Sequence, residues 1–315
     1  TGLGGDCFAL YYSAATGEVS ALNGSGRAPA ALTLERLYSE GVGEELPPMH
    51  PYTITVPGAC AGWCDLVGRF GRLALGDILT PAIELAEGGF PVAPVTSYFW
   101  QRAAAGQLAR ALNGRELTLD GRGPRPGEIF QNPGLGQTLR RIAAGGAQAF
   151  YQGDIAEAIA ATVAEAGGCL SLADLAAHTS TWEQPLSVEY REHRVWECPP
   201  NGQGLAALLA LNILRHFDLS SLPPLSADRL HLEIEAMRLA FADAFYYIAD
   251  PVFCPAPLEG LLSTAYGRER AALIDLHRAR LDMAHGTPPA VSDTVYFCVV
   301  DEAGNDCSFI NSNYM

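Results

Sequence analysis

The sequence predicts a layered α+β fold whose sheet is assembled from both ends of the chain. Three observations carry that prediction. An apolar hairpin opens the chain, a second hairpin of the same kind lies near its other end, and the long middle reads as helices rather than as alternating strand–helix units. The 315 residues suffice for one large domain or two ordinary ones. There is no internal repeat, no low-complexity tract, and no linker long enough to force a domain boundary.

Taken in order, a Gly-rich opening at Gly2, Gly4 and Gly5 reads as a tight turn into the first strand. It lacks the G-x-G-x-x-G spacing of a nucleotide loop. Residues 8–13 form a strand, residues 14–17 a turn, and residues 18–23 return, ending at Gly24-Ser25-Gly26. Residues 75–87 predict a helix stopped by Gly88-Gly89. Asn132-Pro133 is an N-cap followed by a first-turn proline, and Leu135, Leu139 and Ile142 form the stripe of a helix that Gly145-Gly146 closes. Ile155, Ile159 and Val163 repeat at helical spacing, and Ser171 with Asp174 fits a capping box. Residues 205–217 read as an apolar helix. Leu230, Ile234, Met237 and Phe241 mark the buried stripe of one more. Residues 294–300 are strand-like, Ala303-Gly304-Asn305 turns, and residues 306–312 return.

Composition narrows the function. Hydrophobic residues make up 49% and charged residues 17%, which is globular rather than disordered. A formal charge of −15 without a basic cluster argues against nucleic acid or anionic membrane as partner. No apolar run reaches the roughly 18 residues of a membrane helix. The eight cysteines sit at no zinc-like spacing and are expected as core thiols, with Cys60 and Cys64 on one face if their segment is helical. The seven histidines form no ligand set and are expected at the surface or satisfied in the core. No metal site is expected. There is no G-x-S-x-G elbow. On periodicity alone, Thr294 simply starts a strand.

Motifs in sequence order change that reading. They are Gly2-Leu3-Gly4-Gly5-Asp6-Cys7-Phe8, Arg27-Ala28-Pro29-Ala30, Val56-Pro57-Gly58-Ala59, Arg69-Phe70-Gly71-Arg72-Leu73, Pro81-Ala82-Ile83-Glu84-Leu85-Ala86-Glu87-Gly88-Gly89-Phe90, Ala149-Phe150-Tyr151-Gln152-Gly153, Leu172-Ala173-Asp174-Leu175, Ala240-Phe241-Ala242-Asp243 with Asp250-Pro251, and the Thr294 strand. With them the chain, from Gly2 to Met315, resembles the γ-glutamyltransferase (glutathione hydrolase) family of N-terminal-nucleophile hydrolases.

The resemblance implies a four-layer αββα sandwich and an inactive precursor that cleaves its own backbone at Asp293–Thr294. Residues 1–293 would be the large-subunit region and residues 294–315 the start of the small, catalytic subunit. Thr294 would then be both nucleophile and, through its new α-amine, general base. A terminal α-amine titrates near neutrality, at about 7.7–8.0, and an adjacent base is what a hydroxyl nucleophile needs. No cofactor is implied. The implied substrates are γ-glutamyl or related acyl amides, with water or an amine as acceptor. Ser312 falls where the family places a hydroxyl beside the nucleophile.

Two positions depart from the family pattern. Ser25 stands where the family's carboxylate-binding arginine belongs. Arg27, two residues on, would share its strand face roughly 6.5 Å further along. Tyr314 replaces an asparagine that helps hold the glutamyl group. These departures keep open a glutaryl- or cephalosporin-type acylase, or a non-catalytic relative. The sequence opens on Thr1 and reads as part of a longer chain, and the resemblance puts the oxyanion-hole glycines beyond Met315, so the chain alone is expected to be inactive. The unpaired cysteines lean toward a reducing bacterial compartment, the cytoplasm over the periplasm.

Overall fold

The computed structural model of the chain describes residues 2–42, 45–47, 49–280 and 294–312, and within the last stretch the side chains of residues 299–310. Asp293, Tyr314 and His285 lie outside the described residues. In chain order the elements begin with β1 (Asp6–Ser13), β2 (Glu18–Gly24), α1 (Leu34–Ser39), α2 (Ala59–Phe70), α3 (Leu75–Gly88), β3 (Phe90–Pro91), α4 (Pro94–Ala105) and α5 (Gln107–Arg110). They continue with β4 (Ile129–Phe130), α6 (Pro133–Tyr151), α7 (Asp154–Glu165), α8 (Leu172–Ala176), β5 (Thr181–Glu183), β6 (Leu186–Tyr190) and β7 (His193–Glu197). The last are α9 (Gly204–Leu214), α10 (Ala227–Tyr247), α11 (Leu258–Leu261), α12 (Thr264–Ala271), β8 (Thr294–Val300) and β9 (Asp306–Ser312). The chain divides into two compact units, one built from residues 7–23 with 181–315, the other from residues 2–6 with 24–180. No linker marks the division. The chain passes between units at strand ends, which is why composition gave no boundary.

The first unit holds the sheet, of order β5-β2-β1-β9-β8. The two predicted hairpins are both present and lie side by side, so the sheet is assembled from both ends as expected. Gly17 closes the first turn with φ 71°, its N–H donating to the Ser13 carbonyl at 2.7 Å. In the second turn the Asp301 carboxylate accepts the N–H groups of Ala303 and Asn305, both at 3.0 Å. The Asn305 side-chain oxygen then accepts the Ala14 N–H at 3.0 Å, joining the two turns. The short strand β5 pairs antiparallel with β2, Asn23 opposite Thr181.

Helix α9 is buried nearly all round, as its apolar sequence demands. Helix α10 corrects the expected stripe. It buries Leu232, Glu235, Ala236, Leu239, Ala240 and Asp243, while Ile234 is 57% exposed and Leu230 and Met237 also face water. Helices α9 and α10 share apolar clusters through Ala236 and Ala240, and small residues there let the two backbones approach. The two carboxylates on that face are engaged. Asp243 pairs with Arg270 at 2.9 Å, and Glu235 accepts the Arg280 N–H at 3.0 Å.

The second unit packs α2, α3, α6, α7 and α8 around a core of Cys60, Leu79, Ile83, Leu139, Ile142, Phe150 and their neighbours. Helix α3 stops at Gly89, φ 86°, as predicted. The Ser171–Asp174 capping box is formed. The first segment of α6 closes at Gly146 (φ 61°, ψ −153°), as predicted, and a second helical segment follows it to Tyr151. Of the cysteines expected in the core, Cys7, Cys60 and Cys198 are buried, but Cys254 is exposed. Among the histidines, His231 Nε2 meets the Asp275 carbonyl at 2.7 Å, whereas the Nε2 atoms of His178 and His216 are buried with no hydrogen-bond partner among the described residues. Among the described residues no helix is long and apolar enough to cross a membrane, and no three His, Cys, Asp or Glu residues gather as a metal site.

Candidate active site

Thr294 is the first residue of β8, and its register partner on β9 is Ser312. Directly opposed residues of an antiparallel pair share a face, with Cβ atoms about 4.5–5.5 Å apart. The two hydroxyl residues read from the sequence are therefore brought together by strand register. Seven consecutive register pairs fix that match, from Val300 with Asp306 back to Thr294 with Ser312. A slip of one residue would move every side chain to the other face. The Asp301–Asn305–Ala14 contacts anchor the turn from which this register is counted.

Because the two hairpin turns are adjacent and β1 lies beside β9, Thr294 and Ser312 sit at the end of the sheet where β1 begins and β2 finishes. That end carries polar side chains which sequence reasoning missed. Asn23 Nδ2 donates to Asn201 Oδ1 at 2.9 Å and to Glu183 Oε1 at 3.2 Å, and the Thr181 hydroxyl donates to the same Glu183 oxygen at 2.9 Å. Gly202 packs against the ring of Phe8 at the start of β1, where an added Cβ would lie 3.5 Å from the ring. Asn23 is two strand spacings from β9, roughly 9–10 Å. Nothing in the spacing of these residues announces the cluster, because strand pairing and a loop bring them together from distant parts of the chain. Beside it, burial pushes the Glu197 carboxyl up and the Cys198 thiol up to about 12.

Ser25 and Arg27 belong to the second unit. The expectation that they share a strand face does not hold, because β2 ends at Gly24. Beyond it the chain is held against the segment around Val56–Gly58. The Val56 N–H donates to the Arg27 carbonyl at 3.0 Å, and the Gly26 N–H donates to Asp6 Oδ1 at 2.8 Å. The Asp6 carboxyl is pushed up by burial, against the backbone N–H groups of Gly26 and Gly58 that favour its anion. Tyr151 supports the same segment from below: its hydroxyl donates to the Pro57 carbonyl at 2.6 Å and accepts the Ala61 N–H at 3.2 Å. The His178 ring lies 5.1 Å from that of Tyr151, and burial, with Arg27 nearby, holds its pKa down. Arg27 itself is exposed and Ser25 half-buried.

Thr294 and Ser312 thus oppose each other in register at one end of the sheet. Comparison with known proteins shows the family and the fold. The Gamma-glutamyltranspeptidase family matches residues 1–315. The glutathione hydrolase-like YwrD proenzyme of Bacillus subtilis is 35% identical over all of this chain and 59% of its own length. The crystal structure of cephalosporin acylase from Bacillus halodurans superposes with a TM-score of 0.88 at 40% identity, covering 100% of this chain and 58% of the other. The γ-glutamyltranspeptidase of Helicobacter pylori superposes with a TM-score of 0.83 at 27% identity, covering 90% of this chain and 82% of that one. This chain belongs to the γ-glutamyltranspeptidase family and has the N-terminal-nucleophile hydrolase fold of these acylases and transpeptidases. It spans about three fifths of the length of the first two relatives, at 59% and 58%.

Proposed function

We propose that the protein to which this chain belongs is a self-processing amidohydrolase or acyltransferase acting on γ-glutamyl amides. The observation that carries the reading is the register pair Thr294–Ser312 at the head of β8. In the precursor the Thr294 hydroxyl attacks the Asp293 carbonyl carbon, and water then cleaves the resulting ester. This leaves the Asp293 carboxylate and a free Thr294 α-amine. In turnover that amine takes the hydroxyl proton as Thr294 attacks the substrate amide, and returns it to the leaving amine. Water or an acceptor amine then releases the acyl group. Ser312 supports the nucleophile by hydrogen bonding. Residues 1–293 and 294 onward are the two subunits of one precursor. Ser25, Arg27 and Tyr314 are the residues we assign to the acyl group. The thiols of Cys64, Cys169, Cys198, Cys254 and Cys307, outside any disulfide, favour a reducing compartment, the bacterial cytoplasm.

A second reading, a glutaryl- or cephalosporin-type acylase of the same mechanism, is favoured by the likeness to cephalosporin acylase. Comparing γ-glutamyl with glutaryl p-nitroanilide separates the two, since the substrates differ only in the α-ammonium group.

The composition offers a direct test of processing. All twenty basic residues are arginine, so the chain has no side-chain amine. Self-cleavage therefore adds one new primary amine to the chain terminus. Intact mass of the full-length protein, with amine-reactive labelling and mapping of the peptide that begins at Thr294, is expected to show a smaller chain whose Thr294 α-amine is labelled. Thr294→Ala is expected to stay whole, and Thr294→Ser to retain partial cleavage. A wild-type precursor that stays uncut after prolonged incubation refutes the reading.

A further inference from the structure

The second unit leaves a cavity of about 600 Å³ between α6 and α7. Every residue lining it belongs to that unit, and none takes part in the proposed chemistry. Its size falls within the roughly 300–1,000 Å³ of small-molecule sites. The sequences of the two helices explain why it is there. Residues 134, 138 and 141 of α6 and residues 155, 158, 159 and 162 of α7 recur at helical spacing and line it from the two sides. Gly134 and Ala158 stand among them where larger side chains would fill the gap. A Cβ added at Gly134 would meet only Asn132 Oδ1, at 3.6 Å.

The lining is apolar on one side and charged on the other. Pro57, Phe150 and Val163 are buried. Leu3, Ile155 and Ile159 are half-buried and pack against the core of the unit. Arg141 and Asp154 are exposed and pair at 2.5 Å through one terminal nitrogen of the guanidinium. Nε and the other terminal nitrogen of Arg141 make no hydrogen bond or ion pair among the described residues. A guanidinium carries five N–H donors in a planar fork, so most of this one is unused. Asp154 opens the 12-residue helix α7, and the N-terminal end of a helix favours negative charge. The aspartate is thus balanced by the helix end as well as by Arg141, and the arginine keeps capacity for a second anion.

We propose that this cavity binds a small monocarboxylate with an apolar body, an aryl- or alkyl-alkanoate. The body lies against Phe150, Ile155 and Ile159, and the carboxylate takes the unused edge of Arg141. The inference does not rest on the proposed reaction, since it involves neither Thr294 nor the segment Ser25–Arg27.

The test is titration of the full-length protein with 3-(4-fluorophenyl)propionate, followed through the shift and broadening of its fluorine signal. The amide and the primary amine with the same body are titrated beside it. The acid is expected to bind about tenfold more tightly than the amide, and the amine no better than the amide. Arg141→Gln is expected to bring the acid down to the level of the amide and to leave the amide unchanged, a split that a merely structural role would not produce. Ala158→Phe fills the cavity from α7 and is expected to abolish binding of both. Gly134→Leu fills it from α6 and is expected to do the same, so the test does not depend on one variant folding. The absence of saturable binding overturns the proposal. So does an acid held no more tightly than the amide or the amine, or binding that survives both filling substitutions, which would place the ligand elsewhere.

Discussion

Replacing Gly26 by alanine tests how tightly the Ser25–Arg27 segment is built. A Cβ there would lie 1.5 Å from the Val56 carbonyl oxygen and 2.6 Å from its carbon, where real contacts do not fall below 3.0 Å. The backbones must part by at least about 1.5 Å, because the obstacle is a carbonyl and not a side chain that can rotate. The Val56 N–H to Arg27 carbonyl bond, now 3.0 Å, and the Gly26 N–H to Asp6 bond, now 2.8 Å, cannot both survive a retreat of that size. Each buried backbone group left unpaired costs about 1–3 kcal/mol, so the substitution is expected to destabilise by about 2–5 kcal/mol. Urea unfolding followed by circular dichroism measures this as a lowered midpoint. In the processed enzyme the same variant is expected to raise KM for acyl amides more than it lowers kcat, if the segment holds the acyl group as proposed. A loss below about 1 kcal/mol with unchanged KM refutes both the packing argument and the role given to the segment.

Other expectations are simpler. Leu209, 1% exposed in the middle of α9, is expected to cost about 2–5 kcal/mol as Leu209→Ala, measured by chemical denaturation. Ser171→Ala removes the N-cap of α8 and is expected to lower stability by about 1 kcal/mol, seen as a drop in Tm. His178 has its folded pKa held below the unfolded value, so the unfolded chain binds the proton first as pH falls below about 6.5. Its contribution is present above that pH and is lost below it, and His178→Phe is expected to flatten the stability profile between pH 6.5 and 5. Cys198, its pKa raised to about 12, is expected to resist alkylation at pH 8 in the folded protein and to react once urea exposes it.

The sequence made the hairpins and their turns plain, because Gly17 and the Asp301–Asn305 turn use chemistry that is local to a few residues. The helix ends at Asn132, Ser171 and Gly89 were legible for the same reason. The orientation of α10 was not. Periodicity found the large apolar residues, but burial followed the alanines that fit against α9 and the carboxylates that arginine and backbone N–H groups satisfy. The pairing of Thr294 with Ser312 could be reached by counting back from the turn, whereas Asn23, Glu183 and Asn201 meet through β5 and a loop with no local signature. Ser25 and Arg27, two residues apart, would share a face only if the strand ran on past the glycines that were read as ending it. The structure uses those glycines for close approach to Val56–Gly58 instead.

The contact between Ala14 and Asn305 spans 291 residues of sequence. Bringing two points so distant together costs roughly 5 kcal/mol of loop-closure entropy beyond a constant, and non-local pairing of this kind slows folding. A ribosome that has not yet released residue 305 can offer β1 the neighbouring β2 but not β9. The pairing of β1 with β9 thus sets an order of events: under the proposed chemistry, the bond before Thr294 is cut only after an early strand of this chain has found one made far later.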